Sequence, residues 1–172
     1  MTTPRFKSTR GSPIRYTFEQ AILSGYAPDG GLWVPDCLPT ITINELKKWK
    51  NKTFSEVCAI VLSKIIQDEI SLKELQNITA SAFSTFERQQ SLHSKSPIPL
   101  VRHNDLFLLE TFHGPTLAFK DIGLQVLARL VNHFLKKRGT RATILMETSG
   151  DTGPAALSAA ANLNNIDMYC LY

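Results

Sequence analysis

The sequence predicts an α/β fold, in which a small N-terminal helical domain (residues 1–95) precedes the beginning of a parallel sheet in residues 96–172. Two observations lead to this prediction. Apolar residues of helical period fill the first half, whereas the second half alternates strand-length apolar runs with helical segments. The order strand, helix, strand, helix, strand favours parallel pairing with right-handed crossovers.

Each predicted helix of the first half begins with the spacing of a capping box, in which a hydroxyl residue precedes Glu or Gln by three positions. The three boxes are Thr17 with Gln20, Thr53 with Glu56, and Ser71 with Glu74. Gly25 is placed to end the first helix, because glycine adopts the backbone conformation that closes a helix at low cost. The first half is therefore expected to be a helical module.

The apolar runs of the second half are 106–109, 142–146 and 166–172. A long helix is predicted at 121–137 and another is expected to begin at Pro154, since proline suits the first helical position. Parallel strands need neighbours on both faces, yet the last apolar strand ends the sequence without a following helix. We therefore expect the chain to be truncated.

Composition and charge exclude several classes of protein. Hydrophobic residues make up 43% and charged residues 20% of the 172 positions, which is typical of a globular chain. The formal net charge is +4, and the basic residues are scattered or lie at expected helix ends, so we expect no nucleic-acid partner. No apolar stretch reaches the length of a membrane span, so we expect no membrane contact.

The three cysteines, Cys37, Cys58 and Cys170, are far apart and lack metal-type spacing. We therefore expect neither a disulfide framework nor a metal site. Two of them fall in apolar segments and are interpreted as reduced core residues in the cytoplasm. Arg, Ser and Thr residues near the N-terminus leave a mitochondrial address open.

Lys120 is the candidate reactive group of the segment Phe-His-Gly-Pro-Thr-Leu-Ala-Phe-Lys-Asp at 112–121, just before the long helix. Apolar neighbours and the positive end of a helix both favour a neutral amine that can attack an aldehyde, although Asp121 opposes this if it lies close. A solvated surface lysine is the alternative. His113 is open to a structural or a catalytic interpretation.

The second candidate segment, Ser149-Gly150-Asp151-Thr152-Gly153, lies between a predicted strand and a predicted helix. Free backbone N–H groups and the positive helix end make such a turn an anion site. A tight turn capped by Thr152 or Gly153 is the alternative, and the Asp151 carboxylate argues against a bare phosphate cradle.

At these two segments the sequence resembles the threonine synthase family of the fold-type II pyridoxal 5'-phosphate (PLP) enzymes. Residues 113–121 resemble the family's cofactor-lysine motif and residues 148–153 its second signature. Residues 8–11 and 27–32 resemble its N-terminal domain, so the resemblance extends over nearly the whole chain.

The resemblance implies roles for nine residues. Lys120 is expected to hold PLP as a Schiff base and to move protons, with Phe119 packed against the pyridine ring. The loop expected to face the substrate carboxylate and the cofactor 3'-oxygen consists of Ser149, Gly150, Asp151, Thr152 and Gly153. Thr9 and Arg10 are expected to help bind the substrate phosphate.

The activity implied by the resemblance is conversion of O-phospho-L-homoserine and water to L-threonine and phosphate. One alternative is a threonine synthase-like phospho-lyase, which eliminates phosphate from O-phosphohomoserine or O-phosphothreonine and gives 2-oxobutyrate. An alternative of another class is a non-catalytic binding or signalling fragment.

Enzymes of this family are much longer than 172 residues. Their glycine-rich cofactor-phosphate loop and the partner of the pyridine nitrogen lie downstream of the matched region. The chain is therefore expected to be inactive alone and to need the missing C-terminal part of the same enzyme as its partner.

Overall fold

The computed structural model describes residues 5–86 and 96–172. The chain divides into two compact units, Met1–Asn77 and Ile78–Tyr172. The domain boundary expected between residues 95 and 96 involves Lys95, which lies outside the described residues. Across the described ranges, no helix is both long enough and apolar enough to cross a bilayer.

The first unit contains a three-stranded antiparallel sheet in the order β2-β1-β3. Its strands are β1 (Phe6–Ser8), β2 (Arg15–Tyr16) and β3 (Trp33–Pro35). Tyr16 on β2 stacks on Trp33 of β3 with ring centroids 4.3 Å apart. The expected helical module therefore also contains a small sheet, which the sequence did not predict because strands of two or three residues are too short to show alternation.

The helices of the first half begin where hydroxyl residues cap them. They are α1 (Phe18–Ser24), α2 (Ile43–Trp49), α3 (Phe54–Ile66), a short 3-10 helix (Gln67–Glu69) and α4 (Leu72–Ser84). The capping boxes expected at Thr17, Thr53 and Ser71 are confirmed. Sequence reasoning missed α2, which has a fourth box formed by Thr42 and Glu45. Gly25 follows α1 with φ 72°, as expected of a residue that ends a helix.

The second unit includes a β-hairpin formed by β4 (Leu100–His103) and β5 (Leu106–Leu109). The two strands pair antiparallel, with Leu100 opposite Leu109. The run 106–109 was expected to be the first strand of the parallel sheet, and that expectation is wrong. A two-residue connection returns the chain directly onto β4, and Asn104 in it has φ 55°, a conformation typical of tight hairpin turns.

After the hairpin, the second unit continues with helix α5 (Lys120–Arg138). A βαβ unit follows, formed by β6 (Ala142–Glu147), α6 (Thr152–Ala160) and β7 (Ile166–Leu171). Strands β6 and β7 pair parallel from Ala142 opposite Ile166 to Glu147 opposite Leu171, and α6 packs against both α5 and β7. The α/β class is therefore confirmed. Helix α6 begins two residues before Pro154, where proline is still tolerated because the first turn has no intrahelical partner for its N–H.

The core of this unit lies between the two helices and one face of the strand pair. Phe134 of α5 and Ala155 of α6 are fully buried. Leu127 was expected to point inward but is 43% exposed. Strands β6 and β7 were expected to be buried on both faces, yet alternate residues such as Leu145 and Tyr169 are exposed. Within the described residues of this unit, α6 is the helix packed on β7.

Candidate functional site

Lys120 is the first residue of α5, and its side chain reaches partly into solvent with 28% of its area exposed. The preceding residue, Phe119, occupies the N-cap position and is itself 60% exposed. The Lys120 Nζ atom lies 4.7 Å from the centre of the Phe119 ring, which is within cation–π distance. An accessible primary amine and an accessible aromatic face therefore stand together at the beginning of the helix.

Asp151 provides the charged partner of Lys120. Lys120 Nζ donates a hydrogen bond of 2.5 Å to Asp151 Oδ1, which joins the beginning of α5 to the loop before α6. This hydrogen bond, together with the positive charge behind it, holds the pKa of the Asp151 carboxyl below its ordinary value. The carboxylate in the Ser-Gly-Asp-Thr-Gly segment is thus neutralised by the amine beside it.

Asp121, the neighbour of Lys120, points the other way. Its side chain is fully buried, and both of its oxygens accept hydrogen bonds from Thr116: Oδ2 from the backbone N–H at 2.9 Å and Oδ1 from the hydroxyl at 2.8 Å. The carboxylate also fills the space beside Gly114, where a Cβ atom would come within 2.4 Å of it. Asp121 is therefore directed away from the Lys120 amine, and Asp151 is the carboxylate paired with that amine.

The loop 149–153 turns directly into α6. Gly150 N–H bonds to Thr148 Oγ1 at 3.2 Å, and Ser149 is exposed. Asp151 is the N-cap residue, so a tight turn here is not capped at Thr152 or Gly153 as the alternative expected. Because the Asp151 side chain bonds to Lys120 and makes no capping bond, the N–H groups of the first turn of α6 receive no side-chain cap.

Gly153 fits this loop for a steric reason. The residue is buried, and a Cβ atom there would lie 2.8 Å from Cys170 Sγ and 3.0 Å from a methyl of Thr148. A larger residue at this position would therefore require Cys170, Thr148 or the beginning of α6 to shift.

His113 pairs with Glu110 beside the lysine segment. Its Nε2 atom lies 2.6 Å from Glu110 Oε2, and 14% of the His113 side chain is exposed. The structure gives the imidazole a carboxylate partner and leaves both the structural and the catalytic interpretation open. Sequence reasoning did not single out Glu110, although its position three residues before His113 is the signal that could have found it.

Thr9 and Arg10 belong to the first unit, where they line a turn organised by Asp29. Thr9 Oγ1 accepts the Leu32 N–H at 2.9 Å, and Arg10 Nη1 donates to the Asp29 carbonyl at 3.4 Å. The Asp29 carboxylate accepts a 2.7 Å bond from the Ser8 hydroxyl, the main cause of its lowered pKa. Both Thr9 and Arg10 are exposed and therefore accessible to a ligand.

The groups around Lys120 suit one kind of ligand. A primary amine condenses with an aldehyde, an exposed Phe119 ring offers a stacking face, and the uncapped first turn of α6 can donate to an anionic oxygen. An aromatic aldehyde that carries anionic oxygens would satisfy all three. Among the residues that the structure describes, no group of three His, Cys, Asp or Glu side chains is arranged to hold a metal ion.

Comparison with known families and proteins gives a consistent result. Residues 5–83 match the family described as threonine synthase N terminus. The chain is 37% identical over 168 residues to the threonine synthase of Pseudomonas aeruginosa, a match that covers 98% of this chain and 35% of that protein. It is also 37% identical to threonine synthase-like 2 of Pongo abelii, with coverages of 96% and 34%. The chain therefore spans about a third of the length of these curated relatives.

Solved structures give the same correspondence in three dimensions. The PLP-bound threonine synthase of Brucella melitensis matches with a TM-score of 0.89 and 38% identity, covering 97% of this chain and 35% of that one. The yeast threonine synthase matches with a TM-score of 0.88 and 32% identity, with coverages of 99% and 35%.

Proposed function

Since the chain belongs to the threonine synthase family, of which it spans the N-terminal third, we propose that it forms the front part of a PLP-dependent enzyme with Lys120 as the cofactor-binding residue. The observation that carries this proposal is the Lys120–Asp151 pair, which brings the cofactor-lysine segment and the second signature segment into contact. The contact joins residues that are 31 positions apart in the sequence, which supports one shared site for the two motifs.

The residues around Lys120 fit PLP by their chemistry. Lys120 supplies the amine for the aldehyde carbon, and Phe119 supplies an exposed ring for stacking. Asp151 stands at hydrogen-bond distance from the amine and can hold its proton. When bound, PLP supplies the electron sink for carbanion chemistry, whereas these residues supply orientation and proton transfer. The loop residues Ser149, Gly150, Thr152 and Gly153 are assigned to the substrate carboxylate and the cofactor 3'-oxygen.

The reaction that we propose for the complete enzyme is conversion of O-phospho-L-homoserine and water to L-threonine and phosphate. Threonine synthases of a bacterium and of yeast match this chain over nearly its whole length, which supports the assignment. Thr9 and Arg10 are proposed to contact the substrate phosphate, since both are exposed and carry donors. Free thiols at all three cysteines agree with a cytoplasmic location.

Elimination of phosphate is a second possible outcome of PLP chemistry, and the similarity to threonine synthase-like 2 supports it. Threonine synthase-like 2 of Pongo abelii and the threonine synthase of Pseudomonas aeruginosa are equally similar to this chain, at 37% identity. A phospho-lyase that eliminates phosphate and yields 2-oxobutyrate is therefore the competing proposal, and the product of the reaction distinguishes the two.

We further propose that the chain functions together with the C-terminal part of the same enzyme. The hairpin β4–β5 exposes Leu106, Phe107, Leu108 and Leu109, each by 49% or more of its area. Successive side chains of a strand point to opposite faces, so both faces of the hairpin expose large apolar residues, as expected of a surface that another polypeptide covers. The chain alone is expected to lack activity, because it spans 35% of its bacterial relative.

A chimera tests the proposal directly. The N-terminal third of Pseudomonas aeruginosa threonine synthase is replaced by this chain, and the product is assayed on O-phospho-L-homoserine with PLP present. We expect threonine from the chimera and none from its Lys120→Ala form. Release of 2-oxobutyrate would favour the phospho-lyase instead.

Covalent trapping identifies the amine independently of turnover. Borohydride reduction of the PLP-loaded chimera, followed by peptide mapping, is expected to place the reduced cofactor on Lys120. Trapping on another lysine, in a chimera that folds and binds PLP, would overturn the assignment. Binding without either product would favour the non-catalytic alternative.

A further inference from the structure

The lysine segment is folded around the buried carboxylate of Asp121. Thr116 donates to both oxygens of this carboxylate, one bond coming from its backbone N–H and the other from its hydroxyl. A carboxylate held by two donors of a single residue is restrained in position and in rotation. A buried polar group of this kind is costly to leave unpaired, so the pairing restrains the loop as well as the helix.

The backbone of the loop is strained in a way that requires such a restraint. Leu117 has φ 61°, in the left-handed region that non-glycine residues rarely occupy. Leu117 N–H bonds to the Gly114 carbonyl at 3.1 Å, and Asp121 N–H bonds to the Ala118 carbonyl at 3.0 Å. Gly114 can approach the carboxylate only because it has no Cβ. Loop and helix beginning thus form one tight unit around Asp121.

Lys120 and Asp121 are consecutive residues of α5, so their side chains leave the helix about 100° apart. With Asp121 fixed inward by Thr116, Lys120 is directed outward, where its amine meets Asp151. The bonds of Asp121 therefore fix the rotation of the first helical turn, and this rotation determines the direction in which the Lys120 side chain points.

We propose that Asp121 is a positioning residue for Lys120, acting through Thr116 to set the direction of the reactive amine. It makes no contact with the amine itself, and its effect is transmitted through the first turn of α5. This inference rests on the proposed function, because it matters for chemistry only if Lys120 carries the cofactor.

The experiment measures the reactivity of the Lys120 amine in the 172-residue chain without cofactor. A brief pulse of an amine-acetylating reagent is followed by peptide mass spectrometry, and Lys136 and Lys137, at the far end of α5, serve as internal references. Asp121→Ala removes both bonds to Thr116 and is expected to speed acetylation of Lys120 by about fivefold, as the amine leaves Asp151. Circular dichroism selects the temperature at which each variant is folded.

Conservative variants separate positioning from loss of structure. Asp121→Asn can accept the Thr116 N–H and donate to the hydroxyl, so Lys120 is expected to react within about twofold of the wild-type rate. Thr116→Ser keeps the hydroxyl and should behave likewise. If Asp121→Ala does not fold, Thr116→Val takes its place, because it removes a single bond and leaves the backbone donor intact.

A double variant gives the decisive result. If Asp121 acts by holding Lys120 against Asp151, then Asp121→Ala has no further effect on Lys120 in an Asp151→Asn background, since the pair is already broken. Independent, multiplicative effects overturn the proposal, as does an unchanged Lys120 rate in folded Asp121→Ala or Thr116→Val. Because acetylation requires no PLP, these outcomes are distinct from failure of borohydride trapping, which tests the proposed function.

Discussion

Lys120 Nζ and Asp151 Oδ1 lie 2.5 Å apart and connect the first turn of α5 with the N-cap of α6. The Asp151 carboxylate therefore satisfies an ammonium group at a position where helix N-caps usually satisfy backbone N–H groups. The first turn of α6 therefore lacks a capping bond from Asp151. The Lys120 amine has Asp151 as its charged partner instead, and this contact must break before the amine reacts.

Replacement of Asp151 by Asn is expected to make Lys120 more reactive toward amine reagents. The amine loses the carboxylate that accepts its 2.5 Å hydrogen bond, so its nitrogen is held less tightly and is more accessible to the reagent. Peptide-resolved acetylation of the 172-residue chain measures the effect. Glu45→Gln is the matched control, because it removes the carboxylate 2.6 Å from Lys64 in the first unit and should leave the Lys120 rate unchanged. Equal rates in wild type and Asp151→Asn would show that the pair does not govern the amine.

Two glycines of the same region are expected to respond to alanine in opposite directions. Gly114→Ala places a Cβ atom 2.4 Å from the Asp121 carboxylate and should lower the free energy of unfolding by about 1–3 kcal/mol. Gly123→Ala, inside α5, meets no atom within 4 Å and should raise it by about 0.5–1 kcal/mol, since alanine is the better helix former. Urea unfolding followed by circular dichroism measures both, and a neutral Gly114→Ala would contradict the packing described here.

How much of this arrangement the sequence could predict depends on the range of the interaction. The capping boxes at Thr17, Thr53 and Ser71 were predictable because each joins residues three positions apart. The Lys120–Asp151 pair was not, because residues 31 positions apart meet only through the packing of α5 on α6. The hydrophobic periodicity of α5 indicates which of its faces is buried. It does not indicate that the loop carrying Asp151 contacts its first residue, Lys120.

Strand pairing shows the same limit. The apolar run at Leu106–Leu109 was recognised as a strand, yet its partner was misassigned, because a strand of four residues fits a hairpin as well as a parallel sheet. The resemblance of two motifs, by contrast, selected Lys120 and the loop at 149–153 as candidates for one site without any knowledge of their contact. Local chemistry and motif identity were thus readable from the sequence, whereas contacts between distant segments required the fold.

Leu117 offers a test of backbone strain beside the site. Its φ of 61° is unfavourable for a side chain, and 59% of that side chain is exposed, so little apolar burial is lost when it is removed. Leu117→Gly is expected to raise the free energy of unfolding by about 0.5 kcal/mol, the relief of strain being partly offset by chain entropy. Leu117→Val should lower it by about 1 kcal/mol, since β-branched residues tolerate this region least. Thermal unfolding of Leu117→Gly and Leu117→Val measures the two stabilities. If Leu117→Val were the more stable variant, the loop would not be strained at this position.

Acid stability of the first unit is expected to depend on Glu45. Hydrogen bonds from Lys64 and then from Thr42 lower the pKa of the Glu45 carboxyl from 4.5 to about 2. The native state thus favours the ionised carboxylate, whereas the unfolded chain binds a proton near pH 4.5. The stabilisation is complete above pH 4.5 and disappears as the pH falls from 4.5 to about 2. Glu45→Gln should be less stable than wild type at neutral pH and should lose less stability across that window.

The measurement is the urea midpoint of unfolding at a series of pH values, read by circular dichroism. The urea midpoints of wild type and Glu45→Gln should converge at the acid end. Protonation removes the negative charge of Glu45 in the wild type, and the substitution has already removed it in the variant. Asp105→Asn, at an exposed carboxylate in the β4–β5 turn, is the matched control and should run parallel to wild type. Parallel curves for Glu45→Gln would mean that the bond to Lys64 does not contribute to folding, as is common for exposed ion pairs. The added bonds from the capping box to Thr42 are the reason to expect a different result here.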